Sequence, residues 1–126
     1  MDVQDVFFAG TLPGLNEMLA ASRSQGRTGY GGSYARRKIE IESDLIRQIV
    51  AAKLQPIDQA RLEFLWIERN QKRDKDNIAA GRKFILDALV QAGIIPGDGW
   101  RHVAGFTDEF GISSECPGIK VVLRRV

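Results

Sequence analysis

Three carboxylates stand where they could do chemistry together: Asp74 and Asp76, inside the run Lys72-Arg73-Asp74-Lys75-Asp76-Asn77, and Asp98, on the far side of an expected helix. Alternate side chains of an extended segment point to the same side. Asp74 and Asp76 can therefore face one ligand, provided a helix brings Asp98 back to them. Hard divalent ions prefer oxygen donors, and Mg²⁺ keeps several waters while binding through a few carboxylates and a substrate phosphate. The pattern reads as a site for Mg²⁺ or Mn²⁺, and the flanking cations Lys72, Arg73 and Lys75 suit a phosphate-bearing substrate. The same residues also have a structural reading. Asp76 or Asn77, directly before Ile78-Ala79-Ala80, would serve as a helix N-cap, and Asp74 would favour the positive end of that helix.

Lys83 and Asp87 are one helical turn apart, a spacing that predicts an ion pair or a brace between neighbouring elements. Lys83 also lies two turns from Asp76 on the same face, so its long side chain can reach a scissile phosphate. His102 is the only histidine. It enters a strand without a serine or acid pattern around it, which favours a structural role over general base catalysis. Trp66 and Trp100 read as packing residues rather than base-stacking platforms.

The elements that must position these residues alternate. Val3 to Ala9 reads as a strand and Pro13 to Ala21 as a short helix with proline in its first turn. Ser22 to Ser33, with four glycines, Arg23, Arg27 and Tyr30, reads as a loop whose basic side chains suit a DNA backbone or a simple linker. Its glycines lack the spacing of a nucleotide-binding loop. A long helix is expected from Ser33 or Tyr34 to about Lys53, with Ile39, Ile46, Ile49 and Val50 as its apolar stripe. Ala60 to Arg69 reads as a central strand, buried on both faces toward its end, that delivers the chain to Asp74. A helix from Asn77 to about Ala92 should bury Ile78, Ile85, Leu86, Leu89 and Val90 and stop at Gly93. Pro96-Gly97-Asp98-Gly99 is a turn, and His102 to Phe110 and Gly118 to Arg125 look like a final antiparallel pair. The sum is an α/β fold: one domain over residues 1–126, with a mixed four-stranded sheet covered by helices chiefly on one face.

The chain of 126 residues can bury a core without staples, and its single cysteine, Cys116, excludes an internal disulfide. No His or Cys cluster suggests zinc. No apolar run is long enough to span a membrane and no signal peptide is evident, so a cytoplasmic location without membrane partners is expected. The net charge of +2 is small, but the cations cluster. Arg23, Arg27, Arg36, Arg37 and Lys38 form one group, and Arg69, Lys72, Arg73, Lys75, Arg82 and Lys83 surround the aspartates. Joined in space, they would make a positive face around a negative metal cup. A merely solvated charged surface is the plainer alternative.

Asp74-Lys75-Asp76-Asn77, then Lys83-Phe84-Ile85-Leu86-Asp87-Ala88-Leu89, then Asp98, resemble the D-x-D-N motif, the K-x-x-L-D-A-L helix and the later aspartate of the RusA family of phage and prophage Holliday-junction resolvases. Thr11-Leu12-Pro13-Gly14-Leu15-Asn16-Glu17 resembles the family's L-P-x-x-x-N opening, with one residue fewer before the asparagine, so the likeness runs over essentially the whole chain. The other departure is a few extra residues between Asn77 and Lys83. The resemblance implies a Mg²⁺-dependent endodeoxyribonuclease that resolves four-way DNA junctions in recombination and repair, acting as a homodimer. Asp74, Asp76 and Asp98 would hold the metal, with Lys83 beside them in catalysis, and Arg23, Arg27, Lys72, Arg73 and Lys75 would contact DNA. Two alternatives remain open: a metal nuclease for other branched DNA, and a non-catalytic DNA-binding phage accessory protein whose aspartates only cap a helix.

Overall fold

Alternation along the strands decides the architecture. In β1 (Val3–Ala9) Gln4, Val6 and Phe8 are buried and the residues between them exposed. In β2 (Ala60–Glu68) Ala60, Leu62, Phe64, Trp66 and Glu68 are buried with the same period of two. Since a strand sends successive side chains to opposite faces, each gives one face to a core and the other to solvent. Two further strands, β3 (Val103–Ile112) and β4 (Gly118–Arg125), complete a mixed sheet of order β1-β4-β2-β3. Strand β4 is antiparallel to both β1 and β2, while β3 runs parallel to β2 at the edge. The computed structural model describes residues 2–25 and 33–126, with side chains described for 2–22 and 34–126.

The helices are α1 (Leu15–Gln25), α2 (Ser33–Ala51), α3 (Lys75–Ala79) and α4 (Arg82–Gln91). Leu45 and Ile49 of α2 and Phe84, Ile85, Ala88 and Leu89 of α4 join Phe8, Leu62, Phe64, Trp66, Val121 and Leu123 in one buried cluster. The helices thus cover chiefly one face of the sheet, as the residue pattern implies. Val3, Phe7 and Leu65 point the other way and are exposed. No helix among the described residues is long and apolar enough to cross a membrane.

Several local expectations are corrected. Strands β3 and β4 do not pair with each other, because β2 lies between them; the link after β3 crosses the end of β2, where Ser113 N–H donates to the Glu68 carbonyl at 2.8 Å. The parallel β2–β3 pair needs a crossover, which α3 and α4 supply. Strand β2 is not buried on both faces, since Leu65 is exposed. On α2, Ile39 and Val50 are both 66% exposed. The inward stripe is set by Ile41, Glu42, Leu45 and Ile49, and Ile39 lies about 120° around the helix from Leu45. Residues 22–25 belong to α1, not to a loop.

The single helix expected from Asn77 divides into α3 and α4. The division falls at Ala80 and Gly81, just before Lys83. There Gly81 N–H donates to the Ile78 carbonyl and Phe84 N–H to the Gly81 carbonyl, both at 3.1 Å and both three residues back, a tighter turn than the α-helix. A Cβ on Gly81 would stand 3.2 Å from Leu12 Cβ, so glycine lets the N-terminal segment pack against this break. At the other end, Gly93 has φ +77°, and Ile94 N–H reaches the Leu89 carbonyl at 2.9 Å. That left-handed glycine cap ends α4 as expected.

Candidate functional site

At the end of β2, Arg69 to Arg73 lead into Asp74, the N-cap of α3. Its backbone is extended (φ −73°, ψ 153°), but its carboxylate makes no capping hydrogen bond. Asp76, in the first turn, accepts the Asn77 N–H through Oδ1 at 2.9 Å. Both aspartates are exposed. They line one cavity of about 580 Å³ together with Glu68, Asn70, Gln71, Lys75, Ile78 and Phe110, among others. Asp74 and Asp76 are thus brought together, though by a cap and a first turn rather than by strand alternation.

Asp98 is placed elsewhere. Its carboxylate accepts a hydrogen bond from Lys83 Nζ at 2.7 Å, and it is not among the residues lining the Asp74–Asp76 cavity. Lys83 also pairs with Asp87 at 3.1 Å, and Asp87 meets Lys38 of α2 at 3.9 Å. The expected Lys83–Asp87 brace is present. Hydrogen bonds donated to Asp98 and then to Asp87 hold the Lys83 ammonium above the usual lysine range, and Lys83 holds the Asp98 carboxyl below the usual carboxylate range. Among the described residues no three His, Cys, Asp or Glu side chains are grouped as ligands for one ion. Asp74 and Asp76 by themselves still match the donor set of Mg²⁺, which binds through one or two carboxylates when a substrate phosphate and waters complete its shell.

The basic residues divide by role. Lys72 and Lys75 are exposed on either side of Asp74, and the Lys75 ammonium lies 5.6 Å from the centre of the Phe110 ring. Arg73 is committed within the fold. It donates to Glu68 at 3.0 and 2.8 Å, to Glu17 at 3.0 Å and to the Leu12 carbonyl at 2.9 Å, tying α1 and the N-terminal segment to the end of β2. The hydrogen bond to Glu68 raises the Arg73 pKa above the usual arginine value. Burial pushes the Glu17 carboxyl up, but backbone and Arg73 hydrogen bonds outweigh it and hold the group below its usual range. Arg82 lies over the Phe106 ring, 4.0 Å from its centre, and pairs with Asp108. The side chain of Arg23 and all of Arg27 lie outside the described residues.

Asn77 is buried and structural: its Oδ1 accepts the Asn16 N–H at 2.8 Å. His102 is also structural, its Nδ1 lying 2.7 Å from the Asp58 carbonyl and its own carbonyl accepting the Ala60 N–H. Trp66 is buried, as expected, with its indole N–H donated to Asp108 at 2.9 Å. Trp100 is 98% exposed and packs against nothing, contrary to the packing role expected of it.

The cavity also holds residues that motif reasoning passed over: Glu68, Asn70, Gln71 and Phe110. Glu68 had a signal, since an acid falls there in the buried phase of β2 after Leu62, Phe64 and Trp66. Phe110 had none, because its place opposite Trp66 follows from the parallel β2–β3 pairing that only the structure gives. Asn70 and Gln71 carried none. Comparison with protein-family models and with curated proteins finds no match to this chain.

Proposed function

We propose that the chain is a RusA-like, Mg²⁺-dependent endodeoxyribonuclease that cleaves branched DNA, with the four-way junction as its substrate and a homodimer as its working form. The observation that carries this reading is the sharing of one cavity by Asp74 and Asp76, exposed at the end of a central strand with Lys72 and Lys75 beside them. The Asp74 carboxylate makes no cap hydrogen bond, which leaves it available to a ligand. Bound by Asp74 and Asp76, Mg²⁺ or Mn²⁺ would polarise a phosphodiester and lower the pKa of an attacking water.

The protein's own cations do the rest. Lys72 and Lys75 attract and orient the DNA backbone, an interaction screened by salt. In the resemblance Lys83 supplies positive charge for the phosphoryl oxygens as negative charge builds on them; here its ammonium is paired with Asp98 and Asp87 outside the cavity, so that role requires it to leave them. In the resemblance Asp98 is a third metal ligand; here that role requires its carboxylate to leave Lys83. The dimer is supported by the uncovered sheet face, on which Val3, Phe7 and Leu65 are exposed. Two sites related by a two-fold axis could nick symmetric strands of one junction.

A second reading has one observation in its favour. The Asp76 carboxylate accepts the N–H of its own neighbour, Asn77, as a residue that only stabilises the helix start would. Substitution Asp76→Asn separates the two. The nuclease reading expects it to retain junction binding in a gel shift and lose cleavage in Mg²⁺. Loss of fold or of binding along with cleavage would instead make Asp76 a structural residue. Nick mapping on four-way, three-way and linear DNA with the unaltered protein then distinguishes a resolvase from a nuclease of other branched DNA.

A further inference from the structure

The cavity beside Asp74 and Asp76 offers more than a metal and a phosphate need. Its walls include the amides of Asn70 and Gln71 and the Phe110 ring, with Ile78 and Ile112 as apolar edges. At about 580 Å³ it falls within the size range of sites that enclose small organic groups. We propose that it receives the unpaired base next to the scissile phosphodiester, stacked on Phe110 and read along its edge by Asn70 and Gln71. The inference rests on the branched-DNA nuclease reading and adds to it the place where base identity is sensed.

Three features support this occupant. Lys75 stands over the Phe110 ring at 5.6 Å, so the ring is approached by a polar, cationic group at the cavity rather than sealed by apolar side chains. Phe106, two turns of the pleat away on the same strand, differs: the Arg82 guanidinium covers it at 4.0 Å. An aromatic face covered only by the end of one flexible lysine, 5.6 Å from the ring centre, becomes a stacking platform when the lysine swings aside to meet the phosphate of the incoming nucleobase. Second, Asn70 and Gln71 are exposed beside it, and side-chain amides present a donor and an acceptor together, matching base edges. The Asn70 carbonyl oxygen already accepts the Lys72 N–H at 3.0 Å, which holds the side chain in place. Third, the acids of the cavity differ in state. Glu68 is matched by Arg73 through paired hydrogen bonds, whereas Asp74 and Asp76 are left facing the space where a phosphate and its cation would lie.

A branch point exposes bases that a linear duplex keeps stacked, and taking an unpaired base costs least. One cavity would therefore set both the preference for branched DNA and the sequence at the nick. The test uses four-way junctions carrying 2-aminopurine at the nucleotides flanking the branch. Bound to Asp76→Asn protein without cleavage, the analogue should be quenched by stacking. The quench should be lost in Asp76→Asn combined with Phe110→Leu, which keeps an apolar side chain against the core. Loss of one base stack should also weaken junction binding by roughly 5- to 150-fold. In protein with Asp74 and Asp76 intact, Asn70→Ala with Gln71→Ala should flatten the distribution of nicks over junctions of varied sequence. A circular dichroism spectrum matching the unaltered protein would establish that each variant is folded. Unchanged quenching and nick distribution in folded variants, with metal-dependent nicking intact, would overturn the base pocket and leave the nuclease reading standing. Absence of both junction binding and nicking by the unaltered protein would overturn both.

Discussion

Lys83 is defined by what surrounds it. Its ammonium bridges Asp98 and Asp87, and the shifts on the Lys83–Asp98 pair run in opposite directions, lysine up and carboxyl down. The lowered Asp98 value means that its share of the stabilisation is present above the ordinary carboxyl pKa near ~3.9 and is lost as pH falls through the lower folded value. The raised Lys83 value means that the lysine share is present below ~10.4 and is lost as pH rises through the higher folded value. Exposure keeps the pair within about 1 kcal/mol. A carbon-detected NMR titration should place the Asp98 carboxyl midpoint below ~3.9 and move it up in Lys83→Ala; an unmoved midpoint would refute the pairing. The same variant should cut the single-turnover cleavage rate by roughly 10²- to 10³-fold while junction affinity changes little. An unchanged rate would remove Lys83 from the chemistry. Asp108 is a different kind of residue, joining the buried Trp66 indole to Arg82. Asp108→Ala leaves both without their partner and should cost roughly 2–4 kcal/mol in a urea melt, whereas a change within about 0.5 kcal/mol would show that water replaces it.

Two motifs that look independent in sequence form one joint between elements. Asn77, at the start of α3, accepts the Asn16 N–H, and a Cβ on Gly14 would stand 2.6 Å from the Asn77 carbonyl and amide oxygens. The segments Leu12 to Asn16 and Asp74 to Asn77 are therefore held against each other, and the segment before α1 fixes the turn that presents Asp74 and Asp76. Gly14→Ala should destabilise the fold by about 1–3 kcal/mol through overpacking, measured as a lowered urea midpoint with an unchanged slope. A midpoint equal to that of the unaltered protein would mean that the segment yields without consequence. Helical period located α2 and α4, but it misjudged the phase of α2 at Ile39 and Val50. A helix with apolar residues on more than one side can be turned several ways, and only packing against α4 and the sheet selects one.

At the scale of the whole molecule, Asp74 and Asp76 face a common space in which one cation could join them. Mg²⁺ at a hundred times its dissociation constant should stabilise the fold by about 2.7 kcal/mol, seen as a rise of several degrees in melting temperature. Asp74→Asn and Asp76→Asn should each abolish the rise. Asp98→Asn should retain it, because that carboxylate is matched by Lys83; loss of the rise there would show that Asp98 exchanges the lysine for the ion. No rise in the unaltered protein at millimolar Mg²⁺ would count against the metal site as a whole.

The sequence alone determined the fold class, because periods of two and of 3.6 residues record which faces are buried wherever an element has a single apolar side. It also determined β1, the glycine stop of α4 and the adjacency of Asp74 to Asp76, all of which depend on near neighbours. Tertiary structure alone decided the strand order, since β4 carries an alternation that would suit pairing with β3 as well as insertion between β1 and β2. It decided which charges are already matched: Arg73 with Glu68 and Glu17, Lys83 with Asp98, Arg82 with Asp108. It also decided that Trp66 is buried while Trp100 stands in solvent. Burial and ion pairing depend on distances through space between residues far apart along the chain, and local spacing holds no record of those distances.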